Sequence, residues 1–209
     1  MSRGQVNEGK GQARLDPVTR RALLVEAAAT VFHGRDPNEV GFEEVADAAG
    51  VSRSLVYNYF GDRAGLTAAV YIHEVEQLDQ QLRRAADGKL PVEVRLRRIV
   101  RRYLVFARDN PDVWNLITSI GSLPHPAIQE ARRSRIAAIA TTWGRGPRSE
   151  LIVCSVMGYL EHGAQHWLDT RQCSLDLAAK QLYGMLWGGL AGARAEAGLP
   201  PTRTAAAAR

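Results

Sequence analysis

The apolar positions of this chain recur every three to four residues over most of its length, and no strand-like alternation persists. This period is typical of amphipathic helices, so we predict an all-α fold. Breaks rich in Gly, Pro, Asn and Asp divide the pattern into segments. The predicted helices cover residues 17–34, two short stretches between 41 and 60, and then 63–86, 91–108, 112–119, 127–143, 149–169 and 175–197.

Residues 41–60 predict a helix-turn-helix. Val45, Ala46 and Ala49 form the apolar stripe of a short first helix, and Gly50 follows where a left-handed turn is needed. Glycine adopts that backbone conformation without strain. Ser52 is suited to cap the next helix, because its hydroxyl can accept an unpaired backbone N–H. Two helices joined in this way place the second in a DNA major groove.

The second motif helix has two distinct faces. Helical spacing puts Leu55, Val56, Tyr59 and Phe60 on one side, and the opposite side is polar. The predicted DNA-binding residues are Ser52, Arg53, Ser54, Tyr57, Asn58 and Arg63. Arginine suits guanine or phosphate, and asparagine suits adenine or phosphate. A cation at a helix N-terminus is destabilised by the helix macrodipole. Arg63 at this position therefore predicts an anionic partner, either a phosphate or the carboxylate of the preceding Asp62.

These residues, together with a leading helix and Leu66, resemble the TetR family of bacterial transcriptional regulators over about residues 21–70. The resemblance implies a homodimer that binds a palindromic operator on double-stranded DNA and usually represses. It also implies a small-molecule effector cavity in the C-terminal helices and a dimer interface formed by the last two helices. Three positions depart from the family pattern: Gly41 replaces the usual Thr, Arg63 the usual Lys and Asn58 a common His. The first two remain compatible with DNA binding, whereas Asn58 implies a change in the bases that are read.

The charge of the chain does not by itself show DNA binding. The formal net charge of +5 over 209 residues suits a polyanionic partner. Between Arg20 and Arg63, however, acidic side chains outnumber basic ones, and the basic surplus lies between Arg83 and Arg148. The motif therefore carries the prediction.

Several other classes of protein are disfavoured. The longest apolar run, Leu182 to Ala193, is broken by Gly184, Gly188 and Gly189 and is too short to span a membrane. No apolar signal segment opens the chain, and Cys154 and Cys173 have no ligand-like spacing, so we expect a cytoplasmic protein with reduced thiols. No Ser/His/Asp set, glycine-rich phosphate loop or metal cluster is visible. We expect neither enzymatic activity nor a cofactor.

The pattern divides the chain into four parts. Residues 1–16 are predicted to be a disordered basic arm, in which Arg3, Lys10 and Arg14 either enter the minor groove or belong to a simple tail. The helix-turn-helix domain covers 17–62, the helical ligand-binding and dimerisation domain covers 63–197, and a flexible tail covers 198–209.

The last two helices are apolar on more than one side, which indicates either a four-helix dimer interface or an internal core. The residues predicted for the interface are Met157, Leu160, Tyr183, Trp187 and Leu190, beside a groove of small residues that includes Gly184 and Gly188. The residues predicted for the ligand pocket are Tyr103, Trp114, Tyr159, His162, His166 and Trp167. The i, i+4 histidines have a spacing that can hold a metal, but no third ligand is evident, and we predict no metal site.

The helix that follows Pro91 presents arginines on one side, at positions 95, 97, 98, 101, 102 and 108. They form either a solvated face or a surface that attracts an anionic effector or DNA phosphates. Segments 166–169 and 186–190 resemble family members of actinobacterial lipid metabolism that sense acyl-CoA, which implies an apolar or amphipathic effector. Two alternatives stay open: a ligand-dependent activator, and a helical protein–protein adaptor without specific DNA binding.

Overall fold

The computed structural model describes residues 16–86, 88–121, 123–141 and 146–196, and within these ranges it contains nine α-helices and no strand. The predicted all-α fold is confirmed. The helices are α1 Pro17–Phe32, α2 Phe42–Ala49, α3 Arg53–Phe60, α4 Arg63–Ala85, α5 Val92–Asp109, α6 Pro111–Gly121, α7 Pro126–Ala140, α8 Pro147–Thr170 and α9 Leu175–Glu196. The predicted arm except Asp16, the last two residues of the helix predicted over 127–143, and the predicted tail lie outside the described residues.

Side-chain caps fix the starts of several helices. The Asp16 carboxylate accepts hydrogen bonds from the backbone N–H groups of Val18 and Thr19, each at 3.0 Å, and Pro17 occupies the first turn. Asp62 caps α4 by accepting from Gly65 N–H at 2.7 Å. These contacts satisfy N–H groups that have no partner within their own helix, and they confirm the predicted starts of α1 and α4.

The first three helices pack around an apolar core and against the first half of α4. Every buried side chain of α1, α2 and α3 is apolar. The largest fully buried ones include Leu24, Phe32, Val45 and Val56. This small bundle holds α3 in a fixed orientation on the end of α4.

Helix α4 extends from this bundle into the second half of the fold, where it packs against α5, α6 and α7. Helix α5 lies between α4 and the pair formed by α8 and α9. Trp114 of α6 is completely buried, and its indole N–H donates to the Gln165 side chain of α8 at 2.7 Å. Since α4 packs against both halves, a boundary at residue 62 stays a prediction.

Within the described residues, no helix has both the length and the apolar character needed to cross a lipid bilayer.

Candidate DNA-binding surface and ligand cavity

The turn between α2 and α3 has the predicted left-handed geometry. Gly50 has φ 65° and ψ 35°, and the N–H of Val51 donates back to the Ala46 carbonyl at 2.9 Å. This is the hydrogen bonding that closes a helix C-terminus when a left-handed residue follows it. Ser52 then caps α3 by accepting from Leu55 N–H at 3.3 Å. Local sequence therefore sets the angle between the two motif helices.

Helix α3 presents the predicted DNA-binding residues to solvent. Val56 and Phe60 are buried on its inner face, while Arg53, Ser54 and Asn58 are exposed. Tyr57 is 58% exposed, and its ring meets the edge of Phe42 with centroids 6.0 Å apart. This contact holds the tyrosine in place and leaves most of its surface free.

Ser52 and Ser54 also contact each other, with 3.0 Å between their hydroxyl oxygens. Both remain exposed, so each keeps hydrogen-bonding capacity towards a partner.

An ion pair that the sequence did not predict lies at the start of α2. Glu44 accepts from Gly41 N–H at 3.1 Å and forms a salt bridge with Arg35 in the preceding loop. The hydrogen bond from Arg35 lowers the pKa of the Glu44 carboxyl below its usual value. Glu44 thus satisfies the backbone N–H of Gly41, and its ion pair with Arg35 ties the preceding loop to the start of α2.

Arg63 is exposed in the first turn of α4, and its guanidinium donates to the Asn38 carbonyl in the loop between α1 and α2. The Asp62 carboxylate, which the sequence offered as an alternative partner, caps Gly65. Because a carbonyl is neutral, this contact leaves the positive charge of Arg63 uncompensated. Arg63 therefore ties the loop to α4 and still presents a cation at the surface.

Gly65 allows α3 and α4 to approach closely. A Cβ atom at this position would overlap with the backbone carbonyl oxygen of Phe60, the last residue of α3. A glycine inside the first turn of a helix, three residues after its cap, is the sequence signal that could have indicated this contact.

The family described as bacterial regulatory proteins, tetR family, matches residues 24–70, which cover α2, α3 and most of α1. The chain belongs to the TetR family. It is 28% identical over 189 residues to the HTH-type transcriptional activator FasR of Mycolicibacterium smegmatis, covering 85% of each chain. It therefore falls among HTH-type transcriptional regulators.

Solved structures of TetR-family regulators have the same fold. A regulator from Streptomyces coelicolor superposes with a TM-score of 0.65 at 26% identity, covering 87% of this chain and 85% of that one. The Bacillus subtilis regulator FadR, solved in complex with stearoyl-CoA, superposes with a TM-score of 0.61 over 79% of this chain and 96% of that one. Its 12% identity shows a shared fold alone.

A cavity of about 1070 Å³ lies between α4, α5, α7, α8 and α9. Most of the lining side chains are apolar, including Ile72, Val75, Leu82, Leu96, Ile99, Ile152, Val156, Met157, Leu160, Trp187 and Leu190. This volume lies at the upper end of the range for small-molecule sites. In this TetR-family chain the cavity is a candidate effector site.

One buried ion pair forms part of the cavity wall. Arg135 of α7 donates to Asp79 of α4 through Nε at 2.9 and 3.0 Å and through Nη2 at 2.6 Å. Their side chains are only 14% and 16% exposed. Nearby, burial raises the pKa of the Tyr103 hydroxyl, which keeps it neutral. The pair joins two helices that are 56 residues apart in sequence, which is why no local pattern indicated it.

Of the six residues predicted for the ligand pocket, Tyr103 lies in the wall of this cavity and the other five do not. Trp114 is buried against Tyr103, with ring centroids 5.3 Å apart. Tyr159 donates to the Leu182 carbonyl at 3.3 Å, and Trp167 donates to the Cys173 carbonyl at 3.0 Å. These aromatic residues hold helices together, so the lining differs from the predicted one.

His162 and His166 are both exposed on α8, and a ring nitrogen of His162 lies 2.9 Å from the Gly158 carbonyl. In the described part of the chain, no group of three or more His, Cys, Asp or Glu side chains is placed to hold a metal ion.

The five residues predicted for the dimer interface point into the single chain. Leu160, Tyr183 and Leu190 are buried, and Met157 and Trp187 are partly buried in the cavity wall. The solvent-facing sides of α8 and α9 carry different residues, among them Leu151, Gly158, Gly184, Met185 and Gly188. The helices are apolar on two sides, as predicted, but the predicted residues belong to the inner side.

The arginines of α5 divide into two groups. Four exposed ones have partners within the chain: Arg97 pairs with Glu93, Arg101 with Asp176, Arg108 with Asp109, and Arg102 with the Gln81 side chain. Arg95 instead lies in the cavity wall, and its Nε is buried without a hydrogen-bond partner among the described residues. Helical spacing placed Arg95 on the same side of α5 as the other arginines, so the sequence did not indicate that it lies in the cavity wall.

Proposed function

We propose that this chain is a homodimeric transcriptional regulator that binds a palindromic operator and responds to a small apolar or amphipathic effector. The observation that carries the proposal is the exposed face of α3. It places Arg53, Tyr57 and Asn58 side by side above a buried apolar face, on a helix whose ends are fixed by caps. This is the arrangement that a recognition helix needs in order to enter a major groove.

The residues on this face have distinct proposed roles. Arg53 and Asn58 carry the donors and acceptors suited to base edges. Tyr57 and Arg63, together with Ser52 and Ser54, suit phosphate contacts, which set orientation without reading sequence. The acidic Glu43 and Glu44 in the first turn of α2 limit how many phosphates this surface can neutralise.

The outer faces of α8 and α9 support the proposal of a dimer. Leu151 and Met185 are 68% and 69% exposed, although both are large and apolar. A Cβ at Gly158, Gly184 or Gly188 would meet no atom within 4 Å in the single chain. Glycine in a helix interior costs about 0.5–1 kcal/mol relative to alanine, and close approach of a second helix pair gives these glycines a role.

Helix α4 is the proposed connection between the two sites. Its first turns carry Arg63 and pack on the motif, and from Ile72 onwards it lines the cavity. Where these regions meet, the buried Glu74 is bonded to His33 at the end of α1, at 2.9 Å. An effector that binds one orientation of α4 more tightly than another would shift the protein towards that orientation and so change the spacing of the two recognition helices. The resulting change in operator affinity is limited by the ratio of the effector's affinities for the two orientations.

An acyl-CoA-like effector is consistent with the apolar lining. FadR, which shares the fold, was solved with stearoyl-CoA bound. The cavity of this chain is long and large enough for an aliphatic chain.

DNA binding is tested by fluorescence anisotropy with the DNA upstream of the chain's own gene, at several salt concentrations. We expect salt-sensitive binding that discriminates against scrambled DNA, and Arg53→Ala should reduce this discrimination by about tenfold or more. Arg98→Ala, an exposed arginine on α5, is the matched control and should bind as the parent does. Absence of specific binding by the parent protein would instead favour the protein–protein adaptor.

The dimer is tested by Met185→Glu, which places a charge on the outer face of α9. Sedimentation should show a dimer for the parent protein and a monomer for the variant. Leu123→Glu is the control, because it places the same charge at an exposed leucine that belongs to neither α8 nor α9. A dimer that persists in the Met185 variant would place the interface elsewhere.

A second candidate function is activation of transcription instead of repression. The similarity to FasR, which is named an activator, favours it. Transcription in vitro from the bound promoter, with and without the protein, distinguishes activation from repression.

A further inference from the structure

The cavity is elongated along α4. Its lining runs from Ile72 on this helix to Ala86, the residue that follows the helix, which corresponds to about 21 Å at the rise of an α-helix. Helices α4 and α5 are antiparallel neighbours joined by a short connection, so Arg83 and Arg95 lie towards the end where that connection is. Tyr103 lies towards the opposite end. The cavity therefore has a distinct chemistry at each end.

Three of the charged side chains along the wall are matched within the protein. Asp79 is bonded to Arg135, and Glu130 accepts from Arg133 and Ser134. Tyr103 interacts electrostatically with Arg135, Glu161 and Asp79. Because Arg135 and Asp79 pair with each other, Glu161 remains as the unmatched charge near this far end. An anionic group would be repelled from that end and favoured beside the arginines.

Arg95 differs from these matched side chains. Its Nε is buried and donates to no acceptor among the described residues. A buried donor of a charged group that has lost water without gaining a partner is costly, by about 1–3 kcal/mol or more. Other arginines on α5 avoid this cost through their own partners, whereas Arg95 is directed to the cavity. A ligand acceptor in the cavity would supply the missing hydrogen bond.

We propose that the effector is an amphipathic anion whose acidic head group binds Arg95, with Arg83 beside it, while its aliphatic chain lies along α4 towards Tyr103. This inference rests on the proposed function, because it assigns a ligand class to the proposed effector cavity. The head group is a carboxylate or a phosphate, and both accept the forked hydrogen bonds of a guanidinium.

Titration calorimetry with four ligands of equal chain length tests the proposal: laurate, lauroyl-CoA, dodecanol and dodecylamine. The parent protein should bind laurate or lauroyl-CoA at least about tenfold more tightly than dodecanol, the difference expected for one charge-assisted hydrogen bond. Preference for laurate would identify a carboxylate head group, and preference for lauroyl-CoA would identify phosphates. Tighter binding of dodecylamine would overturn the proposal in favour of a cationic ligand held by Glu161 and Glu76.

Variants separate Arg95 from the general charge of the helix. Arg95→Gln should remove the preference for the anion and leave dodecanol binding unchanged, while Arg95→Lys should keep part of the preference. Arg98→Gln is the matched control on the exposed side of the same helix. Circular dichroism establishes that each variant is folded. An anion preference that survives Arg95→Gln would overturn the assignment.

The result also distinguishes this inference from the function on which it rests. If dodecanol binds the parent protein as tightly as laurate does, the anion site is wrong and an apolar effector remains. If none of the four ligands binds, the ligand class assigned to the cavity is wrong, while the DNA-binding measurement still decides the proposed function.

Discussion

The helix-turn-helix and the cavity region differ in what their interiors contain. The buried side chains of α1, α2 and α3 are all apolar, and the polar side chains of α3 lie at the surface. The cavity region encloses the Asp79–Arg135 ion pair and the unpaired Nε of Arg95. A surface that reads DNA needs a rigid support, whereas a pocket that recognises a ligand needs polar groups held away from water. The difference teaches where each region is vulnerable to mutation.

The ion pair gives the largest expected effect. Asp79→Ala leaves the guanidinium of Arg135 largely buried without its partner, which we expect to lower the free energy of unfolding by about 3–5 kcal/mol. Urea denaturation measures the change. The double variant Asp79→Leu with Arg135→Met removes both charges and should recover most of the lost stability. If Asp79→Ala unfolds at the same urea concentration as the parent protein, the ion pair is solvated. The cavity region would then not differ from the motif by enclosing this charged pair.

Truncating one leucine in each region compares the two interiors directly. Leu24 is 1% exposed in the closely packed core of the motif, so Leu24→Ala should cost about 2–5 kcal/mol. Leu82 lies in the wall of an existing cavity, so Leu82→Ala enlarges that space and loses fewer contacts. We expect less than half the effect of the first change in the same urea denaturation experiment. Equal losses would indicate that the wall around Leu82 is as closely packed as the core.

A substitution at Gly65, where α3 contacts α4, tests whether the two helices can move apart, because stability would rise if they can and fall if they cannot. Alanine favours helices over glycine, so Gly65→Ala would stabilise an unhindered α4 by about 0.5–1 kcal/mol. Because the added methyl group would meet the Phe60 carbonyl, we expect a loss of about 1–3 kcal/mol in thermal unfolding and weaker DNA binding. Gly88→Ala, with open space around it, is the control. A more stable Gly65→Ala variant would show that α3 can move away from α4.

The sequence predicted the motif well because its determinants are local. The starts of α1 and α4, the left-handed Gly50 and the two faces of α3 each depend on residues within about four positions of one another. The Arg35–Glu44 pair and the approach of Gly65 to a backbone carbonyl were missed. The first joins a loop to a helix, and the second has as its one signal in the sequence a glycine in the first turn of α4.

The cavity was predicted less well because it arises from the packing of five helices. Helical periodicity shows that α8 and α9 are apolar on two sides, but it does not say which side faces α5 and which faces solvent. Leu160 and Leu190 were therefore predicted for an interface and lie inward, whereas Met185 lies outward. The partner of Arg135 is 56 residues away, and a separation of that kind leaves no trace in local spacing.

Arg63 gives the smallest effect on stability and joins the motif to α4. Arg63→Gln removes its hydrogen bond to the Asn38 carbonyl, which should cost about 0.5–1.5 kcal/mol in urea denaturation. It also removes a surface charge proposed to meet phosphate, so binding to all DNA sequences should weaken alike, with the salt slope reduced by about one. Arg20→Gln, on α1 of the same bundle, is the control. A selective loss for one base pair would assign Arg63 to base reading, and an unchanged salt slope would leave it only the role of holding the loop against α4.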